Sequence, residues 1–156
     1  MIIETDMGDI NLHHPDACAK PEFVILSGLP ASGKTVYAKQ WRSEDPENRV
    51  RISWDDLRLE MFGPTWVFNS KDESLMKAES HVRAKAALEQ GKSVVIDNTN
   101  LTENVRNRWR KLGGQYPVDI IEHEIDTPIS ECVRRDKLRT GRARVGRAVI
   151  ERMALF

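Results

Sequence analysis

Apolar and polar positions fall into two kinds of block along this chain. Phe23–Leu26, Val50–Ser53, Ser93–Asp97 and Val118–Ile125 are short apolar runs of strand length, bounded by Gly, Pro, Asn or Asp. The acids in the fourth run mark it as an edge strand. Between the runs the pattern lengthens to helical spacing. A helix is expected from Lys34 to about Trp41 or Arg42. Ser43–Pro46 ends it, because a residue preceding proline avoids helical backbone angles. A second helix opens at Ser53-Trp54-Asp55-Asp56, with Ser53 as cap and two acids in its first turn. After Gly63-Pro64, the pair Ser70 and Glu73 reads as a capping box for a longer helix ending near Gln90 and Gly91. Its stripe Leu75, Ala78, Val82 and Ala86 is expected to face the sheet. Thr102 and Glu103 open the next helix, whose core face is Leu101, Val105, Trp109 and Leu112. Pro128 starts another, carrying Arg134, Arg135 and Arg139, and Arg147 to about Leu155 forms the last. Strands alternating with helices predict an α/β domain.

The first strand runs into Gly28-Leu29-Pro30-Ala31-Ser32-Gly33-Lys34-Thr35, which fits the phosphate-binding pattern G-x-x-x-x-G-K-[ST] between a strand and a helix. The glycines let the backbone curl until successive N–H groups point at phosphate oxygens. Lys34 then reaches the β- and γ-phosphates, and the Thr35 hydroxyl ligates Mg²⁺ at the positive end of the helix. This is a nucleotide-phosphate site, for ATP or another NTP.

Other chemistry gathers where the strands end. Asp55 and Arg58 share a helix face just after the second strand; the alternative is a surface ion pair with acids complementing the helix dipole. Asp97 ends the third strand, where a second acid often meets Mg²⁺ through water. Asn98, Thr99 and Asn100 follow, short polar side chains suited to a phosphate or hydroxyl. Trp66 and Phe68 sit on a loop, either stacking a nucleobase or, in the favoured reading, filling a loop-covered pocket. Charge adds one point. Lys plus Arg and Asp plus Glu each count 24, so net charge names no partner, yet residues 134–147 hold seven bases against one acid, Asp136. That segment, hinged at Gly141, reads as a lid closing over phosphates; a nucleic-acid patch or a solvated turn are the other readings.

At 156 residues the chain holds one core. Residues 1–20 are expected to be a lead-in and 21–156 one domain. His13, His14, Asp16 and Cys18 in the lead-in match no zinc spacing, and Cys18 and Cys132 are lone thiols that fit a reducing, cytoplasmic setting. No segment approaches a membrane span and no signal pattern precedes the domain.

Four segments in order, GLPASGKT, SWDDLR, DNTNLTENVRNRW and DTPISECVRRDKLRTGRARV, resemble the kinase domain of bacteriophage 5′-hydroxyl polynucleotide kinase and its bacterial RNA-repair relatives, over about Phe23 to Met153. The resemblance implies a P-loop kinase fold with a four-stranded parallel sheet, an arginine-rich C-terminal lid, and transfer of the γ-phosphate to a 5′-OH of RNA or DNA. It casts Asp55 as general base, Arg58 as holder of the acceptor's 3′ phosphate, and Lys34, Arg135 and Arg139 as the clamp on the moving phosphates. Thr99, Val145 and Gly146 fall where the acceptor nucleotide rests. There are departures. Asn98 stands where the phage enzyme has its acid, Gly146 replaces a proline, the lid is one residue longer, and Trp54 replaces a base and offers an aromatic platform. No D-x-D-x-T phosphatase motif occurs, so a stand-alone kinase is expected. A small-metabolite kinase and a nucleotide-dependent RNA-binding module are the competing readings.

Overall fold

The structure, a computed structural model, describes residues 19–156. The calls on residues 1–18, including His13, His14, Asp16 and Cys18, lie outside the described residues. The elements are β1 (Glu22–Ser27), α1 (Lys34–Ser43), β2 (Arg49–Ile52), α2 (Trp54–Phe62), α3 (Ser70–Glu89), β3 (Ser93–Ile96), α4 (Glu103–Gly113), β4 (Asp119–Glu124), α5 (Ile129–Lys137), a 3₁₀ turn (Gly141–Ala143) and α6 (Arg147–Met153).

Alternation along β1 decides the layering. Phe23 and Ile25 point to one side, packing with Ile52 and Val94 of the neighbouring strands and with Leu57, Met76, Leu88 and Trp109 of the α2, α3 and α4 layer. Val24 and Leu26 point the other way, onto Ala38 and Trp41 of α1. All four β1 side chains are at most 2% exposed, and each stabilises the fold by roughly 1.5–3 kcal/mol. A strand buried on both faces reads as a continuous apolar run, which is why FVIL shows no alternation in the sequence. The sheet is parallel throughout, in the order β2-β3-β1-β4, with Val24 level with Val95 on one side and Ile121 on the other. β4 is an edge, as its acids indicate. All four strand ends therefore open at one carboxyl edge, where the loops carrying the candidate chemistry lie.

Two expectations for α3 are corrected. Its cap is Asn69, whose Oδ1 accepts the N–H of Asp72 at 2.9 Å, so the capping box at Ser70 and Glu73 does not form. Glu73 is instead drawn onto Arg58. The inward stripe is Met76, Ser80, Ala84, Ala87 and Leu88, while Leu75 and Val82 are 50% and 60% exposed and Ala78 and Ala86 also face out. Small Ser and Ala side chains let α3 approach both the sheet and α2, a property that hydrophobic identity alone does not reveal.

Candidate active site

The phosphate loop is shaped by backbone geometry. Gly28 sits at φ +150°, where a Cβ would come within 2.8 Å of the Ile125 carbonyl and 2.9 Å of Ser32 Oγ, so only glycine fits between the loop and the start of the β4–α5 connection. Ala31 and Gly33 are also at positive φ. Their turns bring the chain into α1 with Gly33 as N-cap and no side chain capping it, so the first-turn N–H groups are left to an anion. Lys34 is buried, and its ammonium donates to the carbonyls of Gly28 (2.9 Å) and Leu29 (2.6 Å) and to Ser32 Oγ (3.2 Å). Burial pushes its pKa down to about 8. Asp97 opposes that, Arg139 reinforces it, and Asp55 opposes it more weakly. Asp97, Arg139 and Asp55, from three separate stretches of chain, thus lie close enough to act on one ammonium.

The Asn98-Thr99-Asn100 segment joins the loop to α2. Gly28 N–H donates to the Thr99 carbonyl (3.1 Å), and Asn100 Nδ2 donates to the Leu26 carbonyl (2.6 Å). Asn98 Oδ1 accepts the N–H of Trp54 at 2.9 Å, fixing the first turn of α2 against the end of β3. Ser53 also caps α2, as its sequence predicts, accepting from Asp56 N–H. Asn98 is buried, and its Nδ2 has no partner among the described residues. Asp97 Oδ2 takes Arg51 Nε at 2.8 Å and Nη2 at 2.7 Å, so half of that carboxylate is already committed to an ion pair.

Asp55 projects from α2 with its side chain 93% exposed, and Arg58 Nη1 donates to its Oδ1 at 2.7 Å. Arg58 is gripped from behind by Glu73 through two bonds of 2.9 and 2.7 Å. Hydrogen bonding from Arg58 holds the Glu73 carboxyl below its ordinary range, despite burial, and the bidentate geometry leaves the guanidinium little freedom. Trp54 is not a free platform. Its indole donates to Ser80 Oγ (3.0 Å), Lys77 lies 5.0 Å over its ring, and it packs between α2 and α3.

The arginine segment differs from its expected form. α5 ends at Lys137, so Arg139 lies beyond the helix rather than one turn along it from Arg135. Arg135 Nη1 reaches the Ser32 carbonyl of the phosphate loop (3.2 Å), while its Nε pairs with Glu131. Arg134 pairs with the same Glu131, on the outer side. Arg139 is exposed, with Nη1 3.3 Å from the Ala143 carbonyl. The stretch is anchored by Asp136, which is 1% exposed and accepts the N–H groups of Val145 (3.0 Å) and Gly146 (2.9 Å). Burial alone would raise its pKa, but those two bonds prevail and it is lowered. Val145 also packs on the buried Cys132, Val133 and Ile150. Gly146 is at φ +90°, an angle closed to proline, so the glycine at this position follows from the backbone path of the longer segment.

The structure therefore brings together Gly28–Thr35, Asp97, Asn98, Thr99, Asp55, Arg58 and Arg135 around the sheet's carboxyl edge. The sequence gives no role to Asp136, reads Glu73 only as a cap, and offers Asn100 for a phosphate or hydroxyl, whereas its amide holds the Leu26 carbonyl. Asp136 had a signal, being the one acid in a run of bases; Glu73 was hidden by its resemblance to a capping residue. The uncapped α1 N-terminus and Lys34 fit a nucleotide's phosphates, and Thr35, an exposed residue, would offer its hydroxyl to a magnesium ion. Among the described residues no cluster of three His, Cys, Asp or Glu side chains forms a metal cage, and no helix is long and apolar enough to cross a membrane.

Fold and site define a P-loop kinase domain. Residues 23–155 match the AAA_33 family model, described as an AAA domain, and the chain belongs to that family. A chain in the structure of the Pnkp1/Rnl/Hen1 RNA repair complex superposes with a TM-score of 0.77 at 28% identity, over 95% of this chain and 46% of that one. Curated relatives include the L-seryl-tRNA(Sec) kinase of Methanococcus maripaludis, 25% identical over 72% of this chain and 44% of its own length. The putative bifunctional polynucleotide kinase/RNA ligase of Autographa californica nuclear polyhedrosis virus is 22% identical over 76% of this chain and 18% of its own length. The adenylyl-sulfate kinase of Pseudomonas aeruginosa is 29% identical over 75% and 60%. The chain thus spans less than two thirds of each of these relatives. The chain is similar to polynucleotide kinases and also to kinases of other acceptors.

Proposed function

We propose that this kinase domain transfers the γ-phosphate of ATP, or another NTP, to the 5′-OH end of RNA or DNA. The observation carrying this reading is the exposed pair Asp55 and Arg58 on α2, with Arg58 fixed by the Glu73 carboxylate, at the same carboxyl edge of the sheet as Lys34 and the phosphate loop. Asp55 accepts the proton of the attacking 5′-OH, and its exposure leaves it open to a polymer end. Arg58, locked by Glu73, holds the adjoining 3′ phosphate with a planar fork. Lys34, Arg135 and Arg139 hold the γ-phosphoryl oxygens and the leaving phosphates, the electrostatic route that dominates phosphoryl transfer. Thr35 and Asp97 would hold a magnesium ion, which would supply charge neutralisation to the phosphates. Asn98 and Thr99, on the segment bonded to both Gly28 and Trp54, and Val145 and Gly146 flank the acceptor nucleotide.

Labelled-phosphate transfer onto matched 5′-OH RNA and DNA oligonucleotides, free nucleosides and adenylyl sulfate tests it. Transfer to oligonucleotides alone is the expected result. The second reading, a small-molecule kinase, is favoured by the adenylyl-sulfate kinase relative. Transfer to nucleosides or adenylyl sulfate without oligonucleotide activity would establish it instead.

A further inference from the structure

Resting on the acceptor assignment above, we propose that the loop between α2 and α3 is a stacking platform for the second base of the acceptor strand. Asp55, Arg58, Leu59 and Phe62 are spaced i, i+3, i+4 and i+7, so one face of α2 carries them all. Along that face the chemistry changes in one direction, from carboxylate to guanidinium to apolar surface to aromatic ring. Arg58 and Phe62 are about 6 Å apart along the axis at 1.5 Å per residue, so a strand that places its 5′-OH at Asp55 and its next phosphate at Arg58 continues over Phe62.

What it meets there is a built aromatic cluster. The Phe62 and Trp66 rings stack with centroids 5.4 Å apart, and Phe68 contacts Trp66 edge-on at 6.1 Å. Trp66 is oriented by its indole N–H, which donates to Asp72 Oδ2 at 2.9 Å, and Asp72 is adjacent to the Glu73 that grips Arg58. Clamp and aromatic loop are therefore mounted on the same first turn of α3. Phe68 is 68% exposed, contrary to the expectation that it fills a covered pocket, while Trp66 is half-buried, and the neighbouring Val67 is 77% exposed. Consecutive large apolar side chains held open to water mark a binding surface. The acids nearby are engaged, Glu60 by Arg83 and Asp72 by Trp66 and Asn69, while Lys71 has no carboxylate partner among the described residues. That balance suits a nucleic-acid strand, whose bases stack on aromatic rings without regard to sequence.

The test uses a 5′-OH hexanucleotide, the same hexanucleotide with an abasic second residue, and a nucleoside 3′-monophosphate, with wild type, Phe68→Ala and Phe68→Tyr. The wild-type KM for the hexanucleotide is expected to be roughly tenfold below that for the abasic version. Phe68→Ala should collapse that ratio towards one and lose the advantage of the hexanucleotide over the monophosphate, and Phe68→Tyr should restore both. A 2-aminopurine at the second position should be quenched on binding wild type and much less on binding Phe68→Ala, a readout that needs no turnover. A wild-type ratio near one, or an unchanged ratio and quench in Phe68→Ala, would overturn the platform. So would a wild-type dimer that Phe68→Ala converts to monomer with no effect on either ratio, which would assign the patch to a second copy. If wild type phosphorylates none of the acceptors, the kinase reading fails, and the 2-aminopurine measurement still decides the stacking.

Discussion

The phosphate loop takes its shape from its own backbone torsions, with Thr99, Thr127 and Arg135 bonded to it from outside, whereas the α2 and arginine sides of the site are fixed by the carboxylates of Glu73 and Asp136. In the loop, Gly28, Ala31 and Gly33 take positive φ within six residues, and Lys34 bonds only to groups of that same loop. On the other sides, Arg58 depends on Glu73 fifteen residues on, and the Arg139–Arg144 stretch is closed by Asp136 bonding forward to Val145 and Gly146. Backbone-built parts are specified locally and tolerate little change. Side chains placed by a distant partner are positioned only after the fold has formed, and the partner can be altered without touching the groups that meet substrate.

That contrast can be broken at several points. The largest effect is expected in the loop: Lys34→Ala should lower kcat by at least the 10²–10³-fold typical of losing one transition-state contact, measured by steady-state phosphate transfer. Glu73→Gln comes next. It leaves Arg58 part-buried and half-held, so acceptor KM should rise about tenfold and stability fall by roughly 2 kcal/mol in urea unfolding, with ATP affinity retained. Equal loss of ATP binding would mean Glu73 supports the whole site. Asp136→Asn should cost less, about 1 kcal/mol, since an amide oxygen still accepts one of the two N–H groups. Its signature is faster tryptic cleavage at Arg142 and Arg144 than in wild type.

Acid sharpens the same comparison. Both Glu73 and Asp136 have pKa values lowered by folding, so the folded state binds fewer protons and their stabilisation is fully present above the unfolded carboxylate range. As pH falls below about 4, that contribution is lost. The stability gap between wild type and Glu73→Gln or Asp136→Asn should therefore be widest near neutrality and narrow in acid, read from denaturant midpoints at pH 7 and pH 3.5. A gap that widens in acid would reverse the assigned sign.

Legibility followed the same division. The phosphate loop, the four strands, the Ser53 cap and the Trp109 core face could all be read from sequence, because each rests on local spacing or on burial of a contiguous run. The inner face of α3 could not. Leu75 and Val82 are as apolar as Met76 and Leu88, and what separates them is the close approach of α2, which small residues permit. Arg139 was placed on a helix because its spacing from Arg135 is helical, but α5 stops at Lys137 and the chain turns instead to meet Asp136. Glu73 resembled a cap because an acid three residues after a serine usually is one; a bidentate partner on another helix outcompeted that local bond.

The central claim, that the nucleotide side and the acceptor side are separate devices meeting at one transferring phosphate, is tested most directly by Asp55→Asn. The change keeps shape but removes the proton acceptor, on a side chain that is 93% exposed and paired with Arg58. The measurement is single-turnover phosphate transfer to a 5′-OH oligonucleotide alongside equilibrium binding of a labelled ATP analogue. The account predicts a transfer rate at least 10²-fold lower with ATP-analogue affinity within about twofold of wild type. Transfer at the wild-type rate, or a matching loss of analogue binding, would contradict it.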